Sequence, residues 1–290
     1  MTTYLILLEA EFPLFMLICS LILGLLVGSF LNVVIHRLPI MLQREWQQQA
    51  NDILGNPEEA AAPAYNLVVP NSRCPRCEHN IRSWENIPIL SYALLRGKCS
   101  ACQNPISLRY PLVELATGIL TVLVVYTFGV TLAGLAACCL TWALVALSLI
   151  DYDHQLLPDD ITLPFLWLGL ILNSFGLFTH LATAVWGAVV GYLVFWCIYQ
   201  AFKLITGREG MGYGDFKLLA MLGAWMGWQS LPLIIILSSF AGALIGGTLI
   251  LFGRDKAKPI PFGPYLAIAG WIALIWGDAL TASYLQFVAI

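Results

Sequence analysis

Eight apolar runs, at about 13–35, 110–128, 131–150, 160–178, 182–205, 214–228, 231–252 and 263–284, leave this chain few folds to choose from. A run of about 20 such residues, coiled as a helix, crosses the roughly 30 Å of hydrocarbon in a bilayer. The balance of the chain agrees: 59% of its 290 residues are hydrophobic, only 11% are charged, and mean hydropathy is +0.80. Soluble domains carry about 25% charged residues. The expected fold is an all-α polytopic membrane protein of eight transmembrane helices with a small cytoplasmic insert between helices 1 and 2. Three regions follow: a first transmembrane helix (1–37), the insert (38–109) and a seven-helix membrane core (110–290). The first run has no preceding basic residue and exceeds a cleavable signal's apolar segment. A net charge of −3 gives no ground for nucleic-acid binding.

The 14 Lys and Arg residues orient this arrangement. Arg37, Arg44, Arg73, Arg76, Arg82, Arg96, Lys98 and Arg109 lie between runs one and two, Lys203, Arg208 and Lys217 at the junction of runs five and six, and Arg254, Lys256 and Lys258 between runs seven and eight. With eight spans all 14 fall on one side, which the positive-inside rule makes the cytoplasm. Both termini then face outward. Run six is anomalous: 15 residues give about 22 Å, too short for the bilayer.

The insert begins with a polar or interfacial helix (41–55) and a Pro- and Ala-containing linker (56–66). Two cysteine pairs follow, Cys74 and Cys77 in CPRCEHNI and Cys99 and Cys102 in CSACQNPI, both repeating C-x-x-C-x-x-x-Ile. Four thiols so spaced in a reducing compartment fit closed tetrahedral coordination of zinc, with iron–sulfur, redox and disulfide chemistry as alternatives. A closed site suits a structural metal that supplies folding free energy to a segment too small for its own core. Cys19, Cys138, Cys139 and Cys197 lie in apolar runs as small hydrophobes.

Ionisable groups at the edge of apolar layers are candidates for function. Run three ends in ALSLIDYDHQLLPDD, placing Asp151 directly after the apolar stretch, and Asp215 heads run six within EGMGYGDFKLLAML. Two carboxylates from separate helices on one face suit aspartyl proteolysis: the ionised one takes a proton from water, the protonated one polarises the scissile carbonyl. A helix N-terminus and nearby Lys217 favour Asp215 as the anion; the end of a helix favours Asp151 as the neutral acid. Gly212 and Gly214, lacking Cβ, are free to adopt positive φ and let a substrate backbone approach. The plain structural alternative is a helix-capping aspartate after a Gly-rich turn.

At this point the motifs become specific. GYGD (212–215) fits the G-x-G-D signature, and the chain resembles the type IV prepilin peptidase family from end to end, through GSFLNVVIHRLP (28–39), the paired CxxC insert, RYPLVEL (109–115), LIDYDHQLLPD (149–159), GMGYGDFKLLAMLGAW (210–225) and PFGPYLAIAG (261–270). The resemblance implies a bacterial inner-membrane enzyme that cuts the basic leader from prepilins and pseudopilins of type IV pilus and type II secretion systems at the cytoplasmic face, after a glycine. It implies Asp151 and Asp215 as the catalytic pair, and methylation of the new N-terminus with S-adenosylmethionine. Prepilins and membrane lipid are the implied partners. No Gly-rich nucleotide fingerprint locates the methyl donor; Gly97 in RGKC is a candidate contact, with a turn into the second cysteine pair as its alternative.

Lesser signals have simpler readings. Glu114 is expected to pair with Arg109 or His36, or to meet substrate; Arg37 to snorkel at the membrane edge; Asp159 to cap the fourth run. Asn32 suits a cross-helix hydrogen bond, and His154 and Asp278 suit solvation. A presenilin-like protease shares G-x-G-D but carries Pro-Ala-Leu in a later span, where this chain has GPYLAIAG, and lacks a cysteine insert. A peptidase without the transferase is a nearer alternative. A transporter coordinating a cation through Asp151 and Asp215 is a third, though both lie at the inner surface rather than the midplane.

Overall fold

A computed structural model describes residues 11–55, 64–252 and 260–288. Arg254, Lys256 and Lys258, and most of the predicted 56–66 linker, lie outside them. The helices are α1 (Pro13–Leu54), α2 (Arg109–Phe128), α3 (Leu132–His154), α4 (Asp159–Ser174), α5 (Leu181–Thr206), α6 (Tyr213–Met226), α7 (Leu231–Leu251) and α8 (Gly263–Val288), with a short helical turn at Leu90–Leu94. No strand forms among the described residues, only two isolated bridges. Among the described residues six helices are long and apolar enough to cross a membrane, which makes this a multi-pass membrane protein; α4 and α6, the fourth and sixth predicted spans, have 16 and 14 residues.

The chain divides into two compact units, Met1–Cys138 and Cys139–Ile290. In the first, α1 continues unbroken through the predicted end of the first span at residue 35 and absorbs the separate helix expected over 41–55. Polarity changes at that point, and the helix runs on through Pro39, which lies inside it, as far as Gly55, whose φ of 66° closes the helix in the left-handed region. α1 packs on α2 through small residues: a Cβ on Gly24 would lie 2.8 Å from the Gly118 Cα, and one on Gly28 would lie 2.7 Å from the Glu114 Cα. This is the backbone approach that small-x-x-x-small spacing permits in membranes.

The second unit is built around α6, which packs against α4, α5 and α8. Phe216, Leu218, Leu219, Met221, Leu222, Ala224 and Trp225 are all fully buried. Because protein rather than lipid surrounds it, a helix of about 21 Å need not match the bilayer. Gly187 on α5 and Gly223 on α6 meet backbone to backbone, so a Cβ on either would collide with the other's carbonyl oxygen. Buried Asn173 fixes the far end of α6: its Nδ2 donates to the Ala224 and Trp225 carbonyls (2.8 and 2.9 Å), and its Oδ1 accepts from the Phe178 and Thr179 N–H groups (both 3.0 Å).

Candidate active site

The near end of α6 is the turn carrying GYGD. Gly212 is the N-cap, Tyr213 starts the helix, and Asp215 is its third residue, its backbone N–H donating to the Gly212 carbonyl at 3.2 Å. Tyr213 anchors the turn in an aromatic cluster, 5.3 Å from the Tyr199 ring of α5 and 5.2 Å from Phe216. The expected positive φ is not found at either glycine: Gly212 is extended (φ −81°), and Gly214 is not left-handed. Their lack of Cβ matters for space instead. A Cβ on Gly214 would sit 2.8 Å from the Leu157 Cβ, whereas one on Gly212 would have only Asp215 Oδ2, at 3.8 Å, and the Gly214 nitrogen at 4.0 Å as neighbours.

Asp151, in the last turn of α3, approaches the same place. Its Oδ2 accepts a 2.9 Å hydrogen bond from the N–H of Gly263, the first residue of α8, and a Cβ on Gly263 would lie 2.7 Å from that oxygen. Leu157 joins the two halves, packing beside Gly214 with its Cβ and beside Gly263 with its Cδ2. Asp151 and Asp215 are 6% and 8% exposed and interact through their charges. The reason given for separating their roles does not survive. Asp151 ends its own helix, but it faces the positive end of α8, so each carboxylate meets a helix N-terminus. Lys217 does not face Asp215; its Nζ pairs with Asp159 at 2.6 and 2.7 Å. Asp159 is accordingly not the N-cap, a position held by Pro158.

The four cysteine sulfurs of the insert lie within 4.8 Å of one another, with Cys74–Cys102 at 3.8 Å and Cys77–Cys99 at 4.0 Å. Tetrahedral zinc with bonds of about 2.3 Å places sulfurs about 3.8 Å apart, so the cluster fits that ion. The sequence repeat is a structural one. Cys74 and Cys99 donate N–H to His79 and Asn104, Glu78 and Gln103 adopt positive φ, and Ile81 and Ile106 donate to Ser72 and Gly97 at equivalent places. Backbone N–H groups of Arg76 and Cys77 draw the Cys74 thiol down to about 6. The His79 N–H favours the Cys77 thiolate, yet desolvation and the neighbouring sulfurs push Cys77 up to about 12. Gly97 (φ +68°) donates to the Tyr92 carbonyl, accepts from Ile106, and has the Tyr92 hydroxyl where a Cβ would be, the arrangement of a turn residue.

Of the weaker expectations, that for Arg37 changes. Arg37 is buried, donating to the Asn66 and Pro70 carbonyls at 2.9 and 2.6 Å rather than snorkelling. Glu114 accepts the Ile89 N–H at 2.8 Å. Asn32 bonds across helices to the Tyr110 carbonyl, as expected. Gly263, Leu157 and Asn173 were not singled out by the sequence reading. Gly263 had one signal, its place between prolines in PFGP.

An all-helical membrane fold with two buried carboxylates, one of them in G-x-G-D, suits the class of membrane aspartyl peptidases. Family models give the particular group: the Bacterial Peptidase A24 N-terminal domain matches residues 22–128 and the Type IV leader peptidase family matches 138–247, and the chain belongs to that family. Relatives named prepilin leader peptidase/N-methyltransferase occur in Stutzerimonas stutzeri (63% identical over 97% of this chain and 98% of the relative), Pseudomonas aeruginosa (60%, 96% of both) and Aeromonas hydrophila (59%, 90% and 91%). No solved structure matches the chain.

Proposed function

We propose that this protein cleaves the leader peptide from prepilins and then N-methylates the new terminus, with Asp151 and Asp215 as the proteolytic pair. The supporting observation is the convergence of α3 and α6 on one buried locus, where the Gly263 N–H donates to Asp151 and Asp215 lies in the first turn of α6. The ionised carboxylate takes a proton from water as its oxygen attacks the scissile carbonyl carbon, and the protonated carboxyl gives its proton to the carbonyl oxygen. As the intermediate collapses, the proton taken from water passes to the departing amine and the carboxyl recovers its own. Water and peptide are consumed, and the dyad returns to its starting protonation. Gly212 leaves room for the substrate backbone beside Asp215.

In this reading eight helices cross the bacterial inner membrane, α4 and α6 as short ones, of which α6 is shielded by protein, with the aspartates and insert cytoplasmic and both termini periplasmic. Cys74, Cys77, Cys99 and Cys102 hold a zinc ion, which supplies cross-linking of the two knuckles. S-Adenosylmethionine, when bound, supplies the methyl group. The substrates are prepilins and pseudopilins of type IV pilus and type II secretion systems, entering from the surrounding lipid: a charged leader joined to an apolar helix puts the scissile bond at the membrane boundary, where the carboxylates lie.

The test is incubation of the purified protein in lipid with a prepilin and S-adenosylmethionine, with mass spectrometry of the products beside Asp151→Asn and Asp215→Asn. A shortened, methylated product lost in both variants is expected. Cleavage surviving in either variant overturns the catalytic assignment, and cleavage without methylation leaves only a peptidase.

A further inference from the structure

The insert exposes apolar side chains along the segment between its two cysteine pairs. Trp84 (48% exposed) lies in a short helical turn at Ser83–Asn86, and exposed Ile87 follows it. Leu90 and Leu94 (53% and 69% exposed) stand four residues apart, on one side of the Leu90–Leu94 turn that packs against the first. This segment is fastened to α2. The Ile89 N–H donates to buried Glu114 at 2.8 Å, and Ile89 takes a φ of 58°, rare for a β-branched residue, so the chain turns sharply there. Glu114 lies inside an apolar run. It is five residues past Arg109, about 7.5 Å along α2. A Cβ on Gly28 of α1 would lie 2.7 Å from its Cα, and Gly28 is seven residues, about 10 Å, short of the first run's end at residue 35. Helical side chains lean toward the helix N-terminus, so the Glu114 carboxylate and the Ile89 turn that it holds sit at the membrane boundary.

We infer that the Trp84–Leu94 segment is an interfacial anchor, docking the insert into the cytoplasmic leaflet of the protein's own bilayer. Trp84, Ile87, Leu90 and Leu94 enter the upper acyl chains, while exposed Arg82, Arg96 and Lys98 meet phosphate headgroups. An indole suits this layer, its ring leaving water while its N–H stays hydrated. Charge selects the occupant. Residues 64–108 hold five Lys and Arg against two carboxylates, and Glu85 is turned inward, its side chain 5% exposed and accepting the Arg82 N–H. Such a surface repels a basic leader peptide and attracts anionic lipid. The two cysteine knuckles, one on each side of the segment, are thereby held against the membrane rather than tethered through α1 and α2 alone. The inference depends on where α1 and α2 cross the bilayer and not on the peptidase reading.

The test places photoreactive benzoylphenylalanine at Leu90, Leu94 or Gln48 of the full chain, reconstituted in nanodiscs of phosphatidylethanolamine and phosphatidylglycerol. Gln48 is exposed and lies 13 residues beyond the first run's end, about 20 Å along α1. After irradiation, mass spectrometry is expected to find lipid adducts on the Leu90 and Leu94 probes and none on the Gln48 probe. Adducts absent from both leucine positions, no more frequent there than at Gln48, or formed with a second copy of the chain instead of lipid overturn the anchor. Trp84→Phe supplies a second measurement that does not depend on the probes being tolerated. The emission lost in that variant is the Trp84 component. Lipid brominated near the top of its acyl chains is expected to quench this component, and aqueous acrylamide to leave it. Quenching by acrylamide and not by brominated lipid puts Trp84 in water and overturns the inference equally. No substrate is present in either measurement, so failure of the anchor and failure of the peptidase reading are told apart.

Discussion

Replacing Gly263 with Ala separates the geometry of the dyad from its chemistry. The added Cβ would stand 2.7 Å from Asp151 Oδ2, against the 3.4 Å at which ordinary contact begins, a deficit of about 0.7 Å. Leu157 Cδ2 stands on another side at 3.1 Å, so the strain cannot be relieved by that side chain alone. Gly263 does not use the left-handed region, so Ala suits its backbone and the effect is steric. Either the carboxylate or the start of α8 must move, and the 2.9 Å hydrogen bond between them lengthens. Displacements approaching 1 Å at a reacting group cost about 10²-fold. Initial-rate assays on a prepilin should therefore show kcat falling about 10- to 100-fold with KM changed less than about threefold. Gly247→Ala, which meets nothing within 4 Å, should be indistinguishable from the unaltered enzyme. A Gly263→Ala enzyme within twofold of normal kcat would refute the claim that this contact sets the position of Asp151.

Other outcomes follow from the same structure. Asn173→Ala leaves four backbone groups without their partner and should destabilise the protein by about 2–4 kcal/mol in detergent unfolding, the low end reflecting relaxation within the membrane. Cys99→Ser should lower zinc, measured by plasma mass spectrometry, well below one per chain and reduce the insert's resistance to protease. Glu85, held below the usual carboxylate range by the Arg82 N–H, Ser100 and His79, contributes stability that is present above the ordinary carboxylate pKa and lost as pH falls through its lowered value. Glu85→Gln should accordingly flatten the acid limb of the insert's unfolding without changing its behaviour near pH 7.

The parts of the site that lie next to one another in sequence were legible there. Asp215 after a Gly turn, Asp151 at the end of an apolar run and the paired CxxC knuckles all use local signals. The parts that depend on distant segments meeting were not. Nothing near Gly263 says that its N–H meets a carboxylate 112 positions earlier, and nothing near Asn173 says that it closes α6. The dipole argument for Asp151 failed for the same reason, since it considered only the helix to which the residue belongs. The predicted end of the first span failed differently: a change in polarity marks a membrane boundary, whereas a helix ends at a capping residue, here Gly55. The brevity of α6 was visible as an anomaly; its explanation, burial on all sides, needed the packing.

The most direct test of a shared dyad compares Asp151→Ala, Asp215→Ala and the double variant by single-turnover cleavage of one prepilin. Groups that act as a unit lose their contribution together. The two single variants and the double variant should fall to the same residual rate, at least about 10³-fold below the unaltered enzyme. Losses that multiply in the double variant, or a single variant retaining a tenth of normal activity, would contradict the account.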